Sequence, residues 1–208
     1  HTMKKPGSKG EHNLQKKFET EKRALAFYNS QLLNHLNPEM QQFISEQEMV
    51  FISTSDAKGE CDASFRAGDT GFVIVLDTKT LLFPEYRGNG VLASMGNISE
   101  NPHIGMFFID FYQNSIGLHV NGKARILSNE DLTADLDLSR KLKMSSKKLG
   151  SRKPISWIKV DVEEAYIHCS KHIPLMQKID KIIHWETDDE KLKGGDFFNT
   201  QNRTKPAS

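Results

Sequence analysis

The stretch MVFISTSDAKGECDASFR, residues 49–66, has the pattern of two β-strands joined by a turn. The runs MVFISTS (49–55) and CDASFR (61–66) have the two-residue period of strands, and DAKGE between them is rich in turn formers. GFVIVLD (71–77) and TLLFP (80–84) repeat this arrangement around a turn at 77–79. We predict two consecutive hairpins, which makes the sheet antiparallel.

Together with these hairpins, the further strands along the chain outnumber the helices. Three more apolar stretches have strand character, the last of them as a strand pair or as one long bent strand: IGMFFIDF (104–111), IGLHVNGKARIL (116–127) and ISWIKVDVEEAYIHC (155–169). Helical periodicity occupies four segments: 11–36, a short one beginning at Pro38, 91–100 and 128–148. The sequence therefore predicts a mainly β fold, a closed or half-closed antiparallel barrel with peripheral helices.

Composition excludes several classes of function. The 208 residues carry 28 basic and 27 acidic side chains, a net charge of +1, which argues against a nucleic-acid binder. No apolar run reaches the roughly 18 residues of a membrane span, so no membrane partner is predicted. Two distant cysteines, Cys61 and Cys169, argue against a disulfide framework and favour a cytoplasmic protein. Cys169 and His172 offer only two metal ligands, so no metal site is predicted.

The chain divides into four segments by pattern. Residues 1–10 are interpreted as a tag remnant and a disordered N-terminus, and 11–48 as helices packing on the barrel. Residues 49–190 form the predicted barrel, and 191–208 a polar tail.

An arginine stands among glycines in FPEYRGNG, residues 83–90, where a strand meets a helix. Glycines allow close backbone approach, a helix start offers unpaired N–H groups, and the Arg87 guanidinium matches phosphate oxygens. A second arginine, Arg66, ends another strand in DASFRAGDTG (62–71). The two could converge on one anion, or they could be unrelated surface arginines, and the pattern alone leaves both interpretations open.

The block from 49 to 171 resembles the FMN-binding split-barrel family, the pyridoxamine 5'-phosphate oxidase-like flavoproteins. Three segments carry the resemblance: Ser64, Arg66, Gly68 and Gly71 before FV, the loop FPEYRGN with NISENPHIGMFF after it, and VNGKA (120–124) with VEEAYIHCSK (162–171). The resemblance implies a six-stranded antiparallel split barrel that forms a homodimer and binds FMN between its subunits.

The resemblance also implies a set of cofactor-binding residues. The residues expected at the FMN phosphate are Arg66, Arg87, Gly88 and Asn89, with Ser94 and Asn97 as secondary candidates on the helix, and Ser64 is also expected to bind the cofactor. Phe83 and Pro84 would run their backbone along the flavin, and a second subunit would contribute His168, Cys169 and Lys171. No catalytic residue is assigned, although Lys171 or His168 could hold an anionic substrate or the reduced flavin.

The sequence departs from the true oxidases at two places. Their Arg-x-His motif near the C-terminus is absent from HIPLMQKIDKIIHWE (172–186), and their Ser-Arg-Lys run is replaced by Arg87-Gly88-Asn89-Gly90. The expected function is therefore an FMN-dependent oxidoreductase acting on an unidentified small molecule, with electrons from NAD(P)H or passed to oxygen. Two alternatives stay open: a non-catalytic flavin- or haem-binding protein for storage, sensing or trafficking, and a reductase that uses the deazaflavin F420.

Overall fold

A computed structural model describes residues 4–144 and 152–201, which form an antiparallel sheet with helices around it. The strands are β1 (Met49–Ser55), β2 (Cys61–Ala67), β3 (Ile74–Asp77), β4 (Thr80–Glu85), β5 (His103–Asp110), β6 (Ile116–Leu127) and β7 (Ser156–His168). The helices are α1 (Lys9–Lys17), α2 (Glu21–Ser30), α3 (Pro38–Ser45), α4 (Ala93–Glu100), α5 (Asn129–Ala134) and α6 (Leu136–Met144). A short 3₁₀ turn, Ser170–His172, follows β7.

The seven strands make one sheet in the order β2-β1-β5-β6-β7-β4-β3. The β1–β2 hairpin is confirmed, with Ser55 opposite Cys61 across the predicted turn. β7 is one long strand rather than a pair, and its register against β6 shifts between Asn121 and Gly122. This shift bends the two strands, as a β-bulge does. The mainly β architecture agrees with the predicted split barrel, with seven strands described where six were expected.

One face of the curved sheet encloses the core. Strands from both ends of the sheet contribute to the same apolar cluster, among them Val50 and Ile52 of β1 and Leu81 and Phe83 of β4. Burying a side chain of this size stabilises the fold by about 1.5–3 kcal/mol each. A second cluster holds Trp157 against α5 and α6 through Leu132 and Leu138. The alternation read from the sequence thus sets which face of each strand is buried.

The prediction of a single helix over residues 11–36 is wrong. The chain forms α1 and α2 with a break between them, where Glu19 adopts a left-handed φ of 57°. Beyond α2, Leu33 exchanges two backbone hydrogen bonds with Ala165 of β7, which satisfies its polar groups without a helix. The apolar residues of this segment are therefore divided between core and solvent: Tyr28 and Leu36 are buried, whereas Leu14, Phe18 and Leu25 are exposed.

The helix predicted over 128–148 is also divided. α5 ends before Asp135, whose carboxylate accepts a hydrogen bond from the Leu138 N–H and so caps α6. Leu132 and Leu138 are buried as expected, but Leu136 is 83% exposed. Residues 145–148 of the prediction lie outside the described residues. The short helix predicted from Pro38 is confirmed, with Asn37 as its capping residue.

Candidate functional site

A cavity of about 400 Å³ lies where β2, β4 and α4 meet. Its size falls in the range of small-ligand sites. It contains most of the residues expected at the FMN phosphate, together with three acidic or aromatic neighbours and an apolar wall. The lining residues are Asp62, Ser64, Arg66, Glu85, Tyr86, Arg87, Gly88, Asn89, Val91, Leu92, Ala93, Ser94 and Met95. The two arginines of the sequence analysis therefore reach one cavity.

Arg66 is held at the cavity by fixed hydrogen bonds. Its Nε donates to Glu85 Oε1 at 3.0 Å, and its Nη1 donates to Ser64 Oγ at 2.6 Å. The Arg66 side chain is 25% exposed and that of Glu85 only 5%. Within the described residues Nη2 makes no such bond, so one edge of the guanidinium remains for a ligand.

Glu85 is the buried carboxylate of this site. Burial raises its pKa above the ordinary value, and the charge and hydrogen bond of Arg66 act in the opposite direction. A buried carboxylate of this kind needs its partner, because an unpaired charge in the interior is costly. Glu85 thus fixes Arg66 in place and also neutralises part of its charge.

The loop after β4 brings its backbone to the same cavity. Gly88 and Gly90 have φ of 53° and 81°, which glycine adopts without the steric cost of a side chain. The loop leads into α4, whose capping residue Leu92 provides no side-chain hydrogen bond and whose first turn carries no acidic residue. The first N–H groups of α4 are therefore available to an anion at the positive end of the helix.

Arg87 lies at the cavity but points its guanidinium at the C-terminal segment. Its Nη2 donates to both carboxylate oxygens of Asp188, at 2.8 and 2.9 Å. This pairing holds the pKa of Asp188 below its ordinary value. Both side chains are more than half exposed, so the ion pair lies in solvent.

Other predicted site residues lie outside the cavity. Phe83 is fully buried in the core, and Pro84 pairs with Trp157 of β7. Asn97 donates to Thr54 Oγ1 at 3.0 Å and so ties α4 to β1. Cys169 and Lys171 are exposed beyond the end of β7. Cys61 and Cys169 are both free thiols.

His168 belongs to an aromatic cluster on the outer face of β6 and β7. Its Nδ1 lies 3.0 Å from His119 Nε2, and the His119 ring stacks on Phe107 at 4.4 Å and on Tyr166 at 4.6 Å. Burial, and secondly the charge of His168, lower the pKa of His119 below 6.5. These surroundings therefore favour the neutral form of His119 in the folded protein.

The lowered pKa of His119 predicts a loss of stability in acid. In the unfolded chain His119 takes up its proton near the ordinary pKa of 6.5, whereas the folded chain resists protonation to lower pH. The free energy of unfolding should therefore fall as pH drops through 6.5 toward the folded pKa. We expect His119→Phe to reduce the difference in Tm between pH 7.5 and 5.5, whereas the exposed control His184→Phe leaves it unchanged. An identical difference in wild type and His119→Phe would contradict this assignment.

The described part of the chain contains no helix long and apolar enough to cross a membrane. Between 4–144 and 152–201, no group of three or more His, Cys, Asp or Glu side chains could hold a metal ion.

A sequence model of the pyridoxamine 5'-phosphate oxidase family matches residues 36–169. The match spans the whole sheet and includes every strand that builds the cavity. This chain belongs to the pyridoxamine 5'-phosphate oxidase family. No curated protein gives a significant match to the chain.

The chain is similar to several solved structures, each under 25% identical to it. HupZ of Group A Streptococcus is 23% identical, with a TM-score of 0.44, over 62% of this chain and 90% of that chain. HutZ, the haem storage protein from Vibrio cholerae, is 15% identical with a TM-score of 0.38, over 64% and 93%. The FAD binding protein from Mycobacterium smegmatis is 15% identical with a TM-score of 0.43, over 64% and 95%.

The partners of the two arginines, Glu85 and Asp188, were not assigned from the sequence. Glu85 is part of the segment FPEYRGNG, residues 83–90. The alternation of buried residues along β4 turns its side chain toward the interior, so the strand pattern could have identified it. Asp188 lies 101 residues after Arg87, and no local pattern links the two.

Proposed function

We propose that the chain binds FMN in the cavity between β2, β4 and α4 and acts as an FMN-dependent oxidoreductase. The observation that carries the proposal is the meeting of Arg66, Arg87 and the uncapped start of α4 at one cavity. A phosphate favours such a place, because guanidinium groups and backbone N–H groups are its preferred donors. Family membership supports the same ligand class.

The remaining wall of the cavity suits the ring system of such a ligand. Val91, Leu92 and Met95 give it an apolar side beside the polar phosphate end. Ser64 and Asn89 add side-chain hydrogen-bonding groups. FMN would supply the redox chemistry, and the chain would bind the phosphate, orient the ring and exclude water from one side of it. We propose a small molecule as the second substrate, with NAD(P)H as donor or oxygen as acceptor.

We also propose that two copies assemble, with the outer face of the sheet between them. Directly paired residues make a row of rings across five strands: Phe65 of β2, Phe51 of β1, Phe107 of β5, His119 of β6 and Tyr166 of β7. Phe51 and Phe65 are 40% and 48% exposed. A contiguous aromatic row that is exposed at its β2 end is typical of an interaction surface.

A dimer of this kind would bring additional groups near the ligand. His168 lies beside the aromatic row and contacts Phe107 and His119. A second copy would present its own His168, Cys169 and Lys171 from the same edge, as the resemblance implies.

A substitution at the exposed end of the aromatic row tests whether the chain forms this dimer. We expect Phe51→Ser to shift the mass measured by light scattering toward the monomer at micromolar concentration. Phe18→Ser, which removes an exposed ring at the C-terminal end of α1, is the matched control and should leave the mass unchanged. A wild-type monomer, or a Phe51→Ser dimer of unchanged stability, would contradict this interface.

Anaerobic reduction tests the proposed oxidoreductase activity. The flavin-loaded protein is mixed with NADPH or NADH, and bleaching of the oxidised flavin band is followed against free FMN at the same concentration. Reduction faster than that of free FMN supports turnover. A bound flavin that neither nucleotide reduces faster than free FMN would contradict the proposed donor.

A further inference from the structure

The C-terminal segment 185–188 lies against the loop at the mouth of the cavity. The Arg152 guanidinium lies 4.2 Å from the centre of the Tyr86 ring and 4.1 Å from that of Trp185. Tyr86 belongs to the cavity wall, so Arg152 joins the segment to the site. A guanidinium over a ring face is an attractive electrostatic contact.

Asp188 makes a second contact between the segment and the loop, because its carboxylate binds the guanidinium of Arg87. The two hydrogen bonds, at 2.8 and 2.9 Å, both use Nη2, so the carboxylate occupies one edge of the guanidinium and offsets its charge. Of the two arginines at the cavity, Arg66 has a fixed carboxylate partner in Glu85 and keeps one edge of its guanidinium for a ligand. Arg87 is the second cation that an incoming anion could use, and in this arrangement a carboxylate of the same chain holds it.

The segment is attached in a way that permits release. Residues 173–184 form no helix or strand, and few contacts hold them: the Met176 N–H donates to the Phe111 carbonyl at 2.7 Å, and Lys178 pairs with Glu48. Trp185 itself is 38% exposed. Exposed ion pairs contribute little to stability, so the Asp188 contact can be exchanged at small cost.

We propose that residues 185–188 form a latch that an anionic ligand displaces. Asp188 holds Arg87 when the cavity lacks an anion, and a phosphate group takes its place on Arg87. A phosphate monoester carries a charge of about −1.5 to −2 at neutral pH, against −1 for a carboxylate, and so competes well for the same donor. The inference rests on the proposed anion site, and it adds that binding frees the C-terminal segment.

Two charge-removing variants test the competition. Asp188→Asn removes the internal competitor, and Glu190→Gln removes the same charge two residues away, where the partner is Lys193 and not Arg87. We expect Asp188→Asn to lower the Kd for FMN and for inorganic phosphate by about two- to fivefold. Glu190→Gln should leave both Kd values at the wild-type level. Equal tightening in both variants, or no change in Asp188→Asn, would overturn the latch.

Trp185 reports the release directly. The chain has two tryptophans, and Trp157 is buried in the core, so acrylamide quenches mainly Trp185. We expect phosphate to increase quenching in wild type, and Asp188→Asn to show the higher quenching before phosphate is added. FMN binding without a change in quenching would overturn the latch alone. A different result is that the protein fails to bind FMN while phosphate still raises quenching in wild type and not in Asp188→Asn. That result would overturn the proposal of FMN binding and would support the latch.

Discussion

Replacing Arg66 by Ala should weaken FMN binding by about 10- to 100-fold. A charge-assisted hydrogen bond to phosphate is worth about 1.5–3 kcal/mol, and each 1.4 kcal/mol is a factor of about ten in Kd. Titration of FMN fluorescence, which is quenched when the flavin binds, measures the effect. Arg125→Ala, which removes an exposed arginine of β6 outside the cavity, is the matched control and should bind as wild type does.

The same substitution should lower stability, and the two effects can be separated. Arg66→Ala leaves the buried carboxylate of Glu85 without its partner, at a cost of about 1–3 kcal/mol in the free energy of unfolding. Adding Glu85→Gln removes the unpaired charge and should recover part of that stability. The double variant should still bind FMN weakly. Wild-type affinity in the double variant would show that the loss came from the fold and not from the phosphate contact.

Gly122→Ala should destabilise the fold by about 3 kcal/mol, near the upper end for overpacking. Gly122 lies at the bulge where β6 and β7 shift register, in the VNGKA segment. A Cβ atom there would overlap the carbonyl oxygen of Asp161 and would lie 3.2 Å from the Cα of Val162. These are backbone atoms of the neighbouring strand, so they can move only if the strand pairing changes.

Gly96 provides a control for which the opposite change in the free energy of unfolding is expected. Gly96 lies within α4, and a Cβ atom there would meet no heavy atom within 4 Å. Gly96→Ala should therefore raise the free energy of unfolding, by up to about 1 kcal/mol, through helix propensity alone. Urea denaturation of both variants measures the difference. An unchanged midpoint for Gly122→Ala would contradict the close approach of β6 and β7.

Strand positions could be predicted because their signal is local. Alternation in 49–55 and 61–66 gives both the strands and the buried face, and the observed register places the predicted turn between Ser55 and Cys61. The helices were predicted less well, because capping and backbone pairing interrupt a periodic apolar pattern. Asp135 caps a new helix within one predicted helix, and Leu33 pairs with β7 within the other.

The candidate site was predictable where it lies close along the chain. Arg87, Gly88 and Asn89 come from one loop, and a strand end places Arg66 beside them. The ion pairs that decide the charge of the two arginines depend on tertiary contacts. Glu85 becomes a buried partner only when β2 and β4 approach each other, and Asp188 reaches Arg87 from a segment without regular structure. Whether His168, Cys169 and Lys171 reach the flavin depends on a second copy, so that stays a prediction.

The most direct test of the account is an absorbance scan of the purified protein, followed by a scan after incubation with FMN and removal of the free ligand. The account predicts flavin absorption at about one FMN per chain, released into the supernatant when the protein is heated. A protein that stays colourless after incubation would contradict FMN binding in the cavity of Arg66 and Arg87. A Soret band in place of the flavin bands would contradict it as well and would indicate haem.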